Sequence, residues 1–441
     1  MALIRLKKTL LKYEVIVKNT LVYPSLFTLQ LMPVSAIIKL LLLKNSYYSI
    51  NRKGEKNVRL IIKLLLGIIL GIGIGLVAPD NFARVIVTFK ELFGQFLEFT
   101  IPLIILFFIA SGIASFGKES GKMLGYTAGV AYSSTIIAGL LAYFVAQFII
   151  PLLITGDAGN AEEAGGFESF LDLEIEPLTG VMTALVAAFV FGIGITRTKS
   201  PVLRGFFDEG KEITEKMIWK IIIPILPFYI GSIFAELAAD GTVFETLKAF
   251  GLVLGLAVIM HWVWLFILYT IAGTMTGRNP FSALKTMLPS YFTGLGTMSS
   301  AATIPVTVRQ SKKNDVSEGI SDSAVPLCAT IHLSGSTITL TTCAIAVVML
   351  TNGMAMPSFG VMLQFILLLG IVMIAAPGVP GGAVIAALGI LGSVLGFDET
   401  ALGLMIALYT TQDSFGTATN VTGDGAIALI VDKWMGKGEA A

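Results

Sequence analysis

Charge is scarce in this chain. Only 13% of its 441 residues are Asp, Glu, Lys or Arg, against about a quarter in an ordinary soluble domain. Basic and acidic residues nearly cancel, to a formal net charge of +1, so nothing overall points to a nucleic-acid partner. Histidine is scarcer still: His261 and His332 stand far apart, without the HExxH spacing that an intramembrane metalloprotease needs. The Ser-rich stretch around Ser299 and Ser300 has no evident base at its tip, which argues against a serine protease. Cysteine is limited to Cys328 and Cys343, both in one apolar stretch. That is neither a disulfide framework nor metal-ligand spacing, and it reads as small free thiols in a helix interface. An enzyme is disfavoured, and no organic cofactor is implied.

Apolar sequence fills the space that charge leaves. Hydrophobic residues make up 55% of the chain, and several runs exceed the roughly 18 to 20 residues that span a bilayer core. The 46 Gly and 16 Pro require many helices to be broken or closely packed, which membrane helices tolerate when neighbours satisfy the freed backbone. The expected fold is all-α and polytopic, with eight crossings at about 58–78, 92–116, 124–151, 180–196, 219–238, 245–273, 324–350 and 400–430.

Loop charge sets the orientation by the positive-inside rule. Asn51 to Arg59, before the first span, is basic. The loop after the third span holds Asp157, Glu162, Glu163, Glu168, Asp172, Glu174 and Glu176 with no Lys or Arg between. The next loop carries Arg197, Lys199, Arg204, Lys211, Lys216 and Lys220. This alternation, with Lys433 and Lys437 in the tail, places both termini in the cytoplasm, against the single exception of Arg84 and Lys90. Residues 1–55 form a basic and apolar extension with three open readings: an amphipathic surface helix, an extra membrane segment, or upstream sequence with Met32 as a start. It has no small-residue cleavage site, so it is not read as a signal peptide.

Two segments do not behave as ordinary spans. Ser282 to Lys313 is apolar but interrupted by Pro289, Gly294 and Gly296, with basic residues on both flanks. A hairpin entering from the cytoplasm and returning keeps both flanks inside, whereas a kinked span does not. Gly360 to Phe397, centred on APGVPGGAV (Ala376 to Val384), repeats the pattern from the opposite face. Irregular backbone at membrane depth survives only buried in protein or lining a wet cavity. Two opposed interruptions therefore mark an inverted repeat around a midplane site. An open channel needs rings of charge or carbonyls; opposed hairpins read instead as gates around one closed site.

The last two spans carry polar groups at depth. His332, Ser334, Ser336 and Thr337 sit mid-way along the seventh. The eighth holds Asp413, Asn420 and Asp424 on nearly one helical face, since Asp413 and Asp424 are eleven residues apart. Ionisable groups there cost about 2.5 to 3.5 kcal/mol on insertion scales and usually face a functional cavity. A hard cation wants oxygen ligands, and an ammonium wants a carboxylate. His332 fits either a packed, hydrogen-bonded histidine or a proton carrier.

At these residues the chain resembles the dicarboxylate/amino acid:cation symporter family, from about Lys56 to Lys433. The resemblance rests on SSAATIPVT (Ser299 to Thr307), PLCATIHLSGS (Pro326 to Ser336), PGVPGG (Pro377 to Gly382) and DSFGTATNVTGD (Asp413 to Asp424), four motifs in order. It implies a symporter domain over 56–433 with a cytoplasmic tail at 434–441. It also implies a homotrimer in a cell inner membrane, working as an elevator: spans 3, 6, 7, 8 and both hairpins move past a scaffold of spans 1, 2, 4 and 5.

Carried over by position, Ser300, Ser336 and the second hairpin tip, Gly378, Val379, Pro380 and Gly381, would hold the substrate carboxylate end. Asp413 would take the amino group, with Gly416, Thr417 and Asn420 beside it. Coupling sodium ions would lie at Asp424 with the carbonyls of Cys328 and Asn420, and at the Thr330 carbonyl with the second hairpin. His332, at the place of a family Asn, is counted with these ligands. Members that carry acidic substrates have an Arg where this chain has Gly416, and an unpaired second carboxylate would be costly to bury. C4-dicarboxylate carriers lack the Asp at 413. The expected cargo is therefore a small neutral amino acid such as serine, threonine or alanine; the alternative is a dicarboxylate or acidic amino acid. Ser334 replaces a family Asp, and Ile136, beside Tyr132 and Thr135, replaces a hydroxyl. These departures imply fewer coupled sodium ions, or a proton in place of one.

Overall fold

A chain this apolar can satisfy its backbone within a bilayer only through helices or a closed barrel. In the computed structural model every regular element among the described residues is helical. Those residues are 60–115, 121–154, 169–171, 173–351, 353–374, 376 and 380–435, all within one unit, Asn57–Ala441. The N-terminal extension, most of the acidic loop after the third span, and residues 436–441 lie outside them.

In chain order the helices are α1 Leu60–Val77, α2 Asp80–Ser115, α3 Gly121–Leu153, α4 Val181–Thr198, α5 Pro201–Met217, and α6 Ile223–Ala239 after a π-helical turn at Ile218–Ile222. There follow α7 Val243–Thr276, α8 Pro280–Thr297, α9 Ser300–Lys313, α10 Glu318–Ile331, α11 Ser334–Leu350, α12 Phe359–Met373, α13 Gly382–Leu395 and α14 Glu399–Met435. Seven helical stretches are long and apolar enough to cross a membrane, and they coincide with the first seven expected crossings. The eighth, α14, has the length, at 37 residues, but its Asp, Asn and Thr side chains dilute its apolarity. Two expected boundaries move. The second helix begins at Asp80 rather than 92, and the fifth stretch includes α5, an amphipathic helix that hydropathy alone passes over.

The first expected hairpin forms as α8 and α9. Asn279 opens it by accepting from the Ser282 amide at 3.1 Å, with Pro280 in the first helical turn. The reversal takes two residues: Met298 in the left-handed region (φ 49°) and Ser299, whose hydroxyl accepts from the Ala302 amide and caps α9. At the open end Asn314 Nδ2 donates to the Ala283 carbonyl at 3.0 Å, so the two arms are tied at the base. The second hairpin packs α12 against α13. Gly381 stands at the N-terminus of α13 with φ 73°, and Gly378 and Val379 of its tip lie outside the described residues.

Helix α1 meets α6 through small residues at four-residue spacing. A Cβ on Gly67, Gly71 or Gly75 would lie 2.2, 2.0 and 2.0 Å from the carbonyl oxygens of Pro227, Gly231 and Ala235. Two helices touch backbone to backbone only where side chains are absent. Gly73, on the other face of α1, has open space around it. Gly71→Ala should therefore lower the thermal unfolding midpoint in detergent, by overpacking worth about 1–3 kcal/mol. Gly73→Ala should leave it unchanged or raise it slightly, as Ala is the better helix former.

Candidate functional site

The site is built around a break in the seventh span. Helix α10 stops at Ile331, His332 and Leu333 leave helical geometry (φ −105°, ψ 89° and φ −114°, ψ 45°), and α11 begins at Ser334. Such a break strands amides at the start of α11 and carbonyls at the end of α10. Asn420 of α14 meets the amides: its Oδ1 accepts from the amides of Gly335 at 2.8 Å and Ser336 at 3.3 Å, while its Nδ2 donates to Ser336 Oγ at 3.0 Å. From α7, His261 Nε2 lies 3.0 Å from the Gly335 carbonyl and 3.1 Å from Thr339 Oγ1. The helices approach this closely because Gly335 has no side chain; a Cβ there would lie 2.4 Å from the Gly416 carbonyl oxygen.

His332 fills the other side of the break. Its Nδ1 is 2.9 Å from Asp424 Oδ1 on α14, and its Nε2 is 2.8 Å from Ser134 Oγ on α3. Both His332 and Asp424 are buried. An ionised carboxylate only accepts, so Nδ1 carries the proton and donates. The second oxygen, Asp424 Oδ2, is buried without a hydrogen-bond partner, as is Ser334 Oγ nearby in sequence. Asp424 thus keeps one lone oxygen for a further donor or a hard cation, and the Cys328 carbonyl at the end of α10 accepts the His332 amide at 2.8 Å. Thr135 Oγ1 donates to Ala131 O within its own helix, and Tyr132 OH donates to Leu367 O.

Asp413 lies three turns away on α14, about 16 Å along the axis, and faces a different space. A cavity of about 260 Å³ opens between the two hairpins. Asp413, Thr417 and Asn420 line it from α14, Ser299 and Ser300 from the first hairpin tip, and Ala376 and Ala383 from the second. Thr330, Leu333 and Ser336 line it at the break. The Asp413 carboxylate is held from two directions: Oδ2 accepts from the Gly381 amide at 2.8 Å, and Oδ1 from Tyr409 OH at 3.0 Å. A carboxylate offers about four acceptor positions, so two remain for a cationic ligand.

Of the residues expected at the substrate site, Ser300, Ser336, Asp413, Thr417 and Asn420 therefore share one cavity. Gly381 joins them by its bond to Asp413, and Pro380 is buried beside it in the chain. Gly416 does not line the cavity; its missing side chain faces the Ser336 backbone at 3.4 Å. Of the expected cation group, His332 and Asp424 are in contact, Cys328 and Asn420 flank the break, and Thr330 is on the cavity side.

Sequence reading missed four participants. Tyr409 was discoverable as the residue one turn before Asp413 on the same helix. Ser134 and His261 reach the break from distant helices and carry no local signal. Lys211 and Glu215 of α5 also line the cavity, so a basic group is present after all, away from the hairpin tips where it was sought. It comes with a carboxylate one turn on, and the pair adds no net positive charge.

Replacing His332 by Ala should leave the Asp424 carboxylate buried and unpaired. The expected cost is about 3–5 kcal/mol, read as a fall in the thermal unfolding midpoint in detergent. Ser134→Ala removes one hydrogen bond and should cost only about 1 kcal/mol.

Comparison with known proteins places this geometry in a family. Over 311 residues the chain is 30% identical to the serine/threonine transporter SstT of Streptococcus suis (strain 05ZYH33), covering 66% of this chain and 84% of that protein. The pattern of the Sodium:dicarboxylate symporter family matches residues 60–434, from the start of α1 to the end of α14. The chain belongs to the sodium:dicarboxylate symporter family, and is a multi-pass membrane transporter rather than an enzyme.

Proposed function

We propose that this protein couples uptake of a small neutral amino acid, of the serine, threonine or alanine kind, to an inward sodium gradient. One observation carries the reading: Asp413, buried between two hairpin tips, is aimed into a small cavity with acceptor positions to spare. An ammonium is the ligand that such a carboxylate suits. The similarity to a serine/threonine transporter supports the same substrate class. The charged side chains lining the cavity are Lys211, Glu215 and Asp413, one cation against two carboxylates. A zwitterion suits that balance, and a substrate with a second carboxylate does not.

Sodium enters this reading as cargo. The lone Asp424 Oδ2, with backbone carbonyls of Cys328 and Asn420, has the oxygen chemistry that a hard cation takes. A second ion would draw on the Thr330 carbonyl and the second hairpin. Ser334 and Ile136 supply no carboxylate or paired hydroxyl for a third, which favours few coupled ions.

The proposed arrangement has eight crossings, α14 being the last, with both termini cytoplasmic in a cell inner membrane. Helices α1, α2 and α4 to α6 form the scaffold of a homotrimer. Helices α3, α7, α10, α11, α14 and the two hairpins carry the cargo past it as an elevator, the second hairpin gating the site.

The test is uptake of labelled serine, threonine, alanine, aspartate and succinate into proteoliposomes, with sodium and pH gradients imposed separately. Serine, threonine or alanine should accumulate only under the sodium gradient. Asp413→Asn should cut that uptake by about a hundredfold, the loss of a charge-assisted contact to the amine. Aspartate or succinate uptake at the serine rate would overturn the substrate assignment, and accumulation driven by pH alone would overturn sodium coupling.

A further inference from the structure

Helix α5 breaks its own pattern where it meets the cavity. It is amphipathic, and its buried stripe is Phe207, Gly210 and Thr214. Gly210 seats that stripe on α2, where an added Cβ would lie 2.3 Å from the Phe107 ring. Lys211 and Glu215 fall on the same stripe, four and eight residues after Phe207, where helical periodicity calls for apolar side chains. Both are half-buried, and both line the cavity that holds Asp413. The solvent face of the helix spends its charges differently: Glu212 and Lys216 pair there at 2.6 Å, well exposed.

Among the described residues Lys211 and Glu215 make no ion pair, with each other or with a neighbour. The Lys211 ammonium lies 5.5 Å from the Phe108 ring centroid, against the cavity wall. Two half-buried, opposite charges left unpaired on a packed face lose solvation without gaining each other. Local rules broken in this way, without a compensating contact inside the chain, mark a functional position.

We propose that Lys211 and Glu215 form a second binding station for a zwitterionic amino acid. There the lysine ammonium takes the α-carboxylate and the glutamate carboxylate takes the α-ammonium. The spacing suits this: Cβ atoms at i and i+4 stand about 5–6 Å apart, and both side chains are long enough to close on a ligand whose two charges are adjacent. The pair has no net charge, so it selects for the zwitterion, and Glu215 repels a substrate that brings a second carboxylate. The station rests on the symport reading above. In that reading α5 belongs to the scaffold and Asp413 to the moving part, so the substrate meets both only at one end of the stroke. A contact made in one state alone changes the affinity of that state alone. Helix α5 follows the basic loop assigned to the cytoplasm, so the station serves the cytoplasmic end, where substrate leaves.

The test is labelled-serine uptake into right-side-out and inside-out membrane vesicles bearing the full chain. The variants are Lys211→Gln, Glu215→Gln, the charge-keeping Lys211→Arg, and Glu212→Gln on the solvent face. Each Gln variant at the station should raise the KM in inside-out vesicles about fivefold, the scale of a partly exposed charge contact, with the right-side-out KM unchanged. Lys211→Arg and Glu212→Gln should match the wild type in both. The station is overturned if Lys211→Gln and Glu215→Gln keep the wild-type KM in both vesicle types, or raise it equally in both. Failure of the wild type itself to take up serine would instead remove the substrate reading on which the station rests.

Discussion

The structure depends on one constraint: backbone amides and carbonyls at membrane depth must find partners within the protein. A continuous seventh span would meet it without help. This chain breaks that span at His332 and Leu333, then repairs the break with side chains from three other helices. Asn420 accepts from the amides that start α11, His261 reaches the Gly335 carbonyl, and His332 turns outward to Asp424 and Ser134. The repairs tie α3, α7 and α14 to one joint. The same residues that satisfy the break also frame the candidate site.

The two carboxylates of α14 share a helical face and have different surroundings. Asp413 accepts from a backbone amide and a tyrosine hydroxyl and opens on a cavity; Asp424 shares a hydrogen bond with an imidazole and keeps one oxygen without a protein partner. A buried carboxylate with spare acceptor positions beside a cavity suits an ammonium, and one enclosed among carbonyls suits a metal cation. One helix thus presents two sites about 16 Å apart, so that a single displacement of that helix would carry both cargoes. Separation along one rigid element is an economical route to coupling, since neither site can move without the other.

Much of this architecture is legible in residue order because it is periodic or compositional. Apolar runs of span length announce α1 to α4, α6 and α7, and α10 with α11 as one span. Prolines, glycines and flanking lysines announce the first hairpin. Asp413, Asn420 and Asp424 declare their shared face through spacings of seven and eleven residues. Amphipathic α5 is hidden by its low hydropathy, and the early start of α2 by the charged residues of its first turns.

What the sequence by itself determined is therefore the helical class, the order of spans and hairpins, and which polar residues stand at depth, because these follow from local periodicity and the cost of charge in a bilayer. Only the tertiary structure decided the partners: that His332 faces Asp424 and Ser134, that Tyr409 and Gly381 hold Asp413, that Gly416 faces α11 rather than the cavity, and that Lys211 and Glu215 reach it from α5. These pairings join residues up to 198 positions apart. They are set by how closely helices cross, as at Gly335 and Gly71, and no local pattern in the chain encodes that distance.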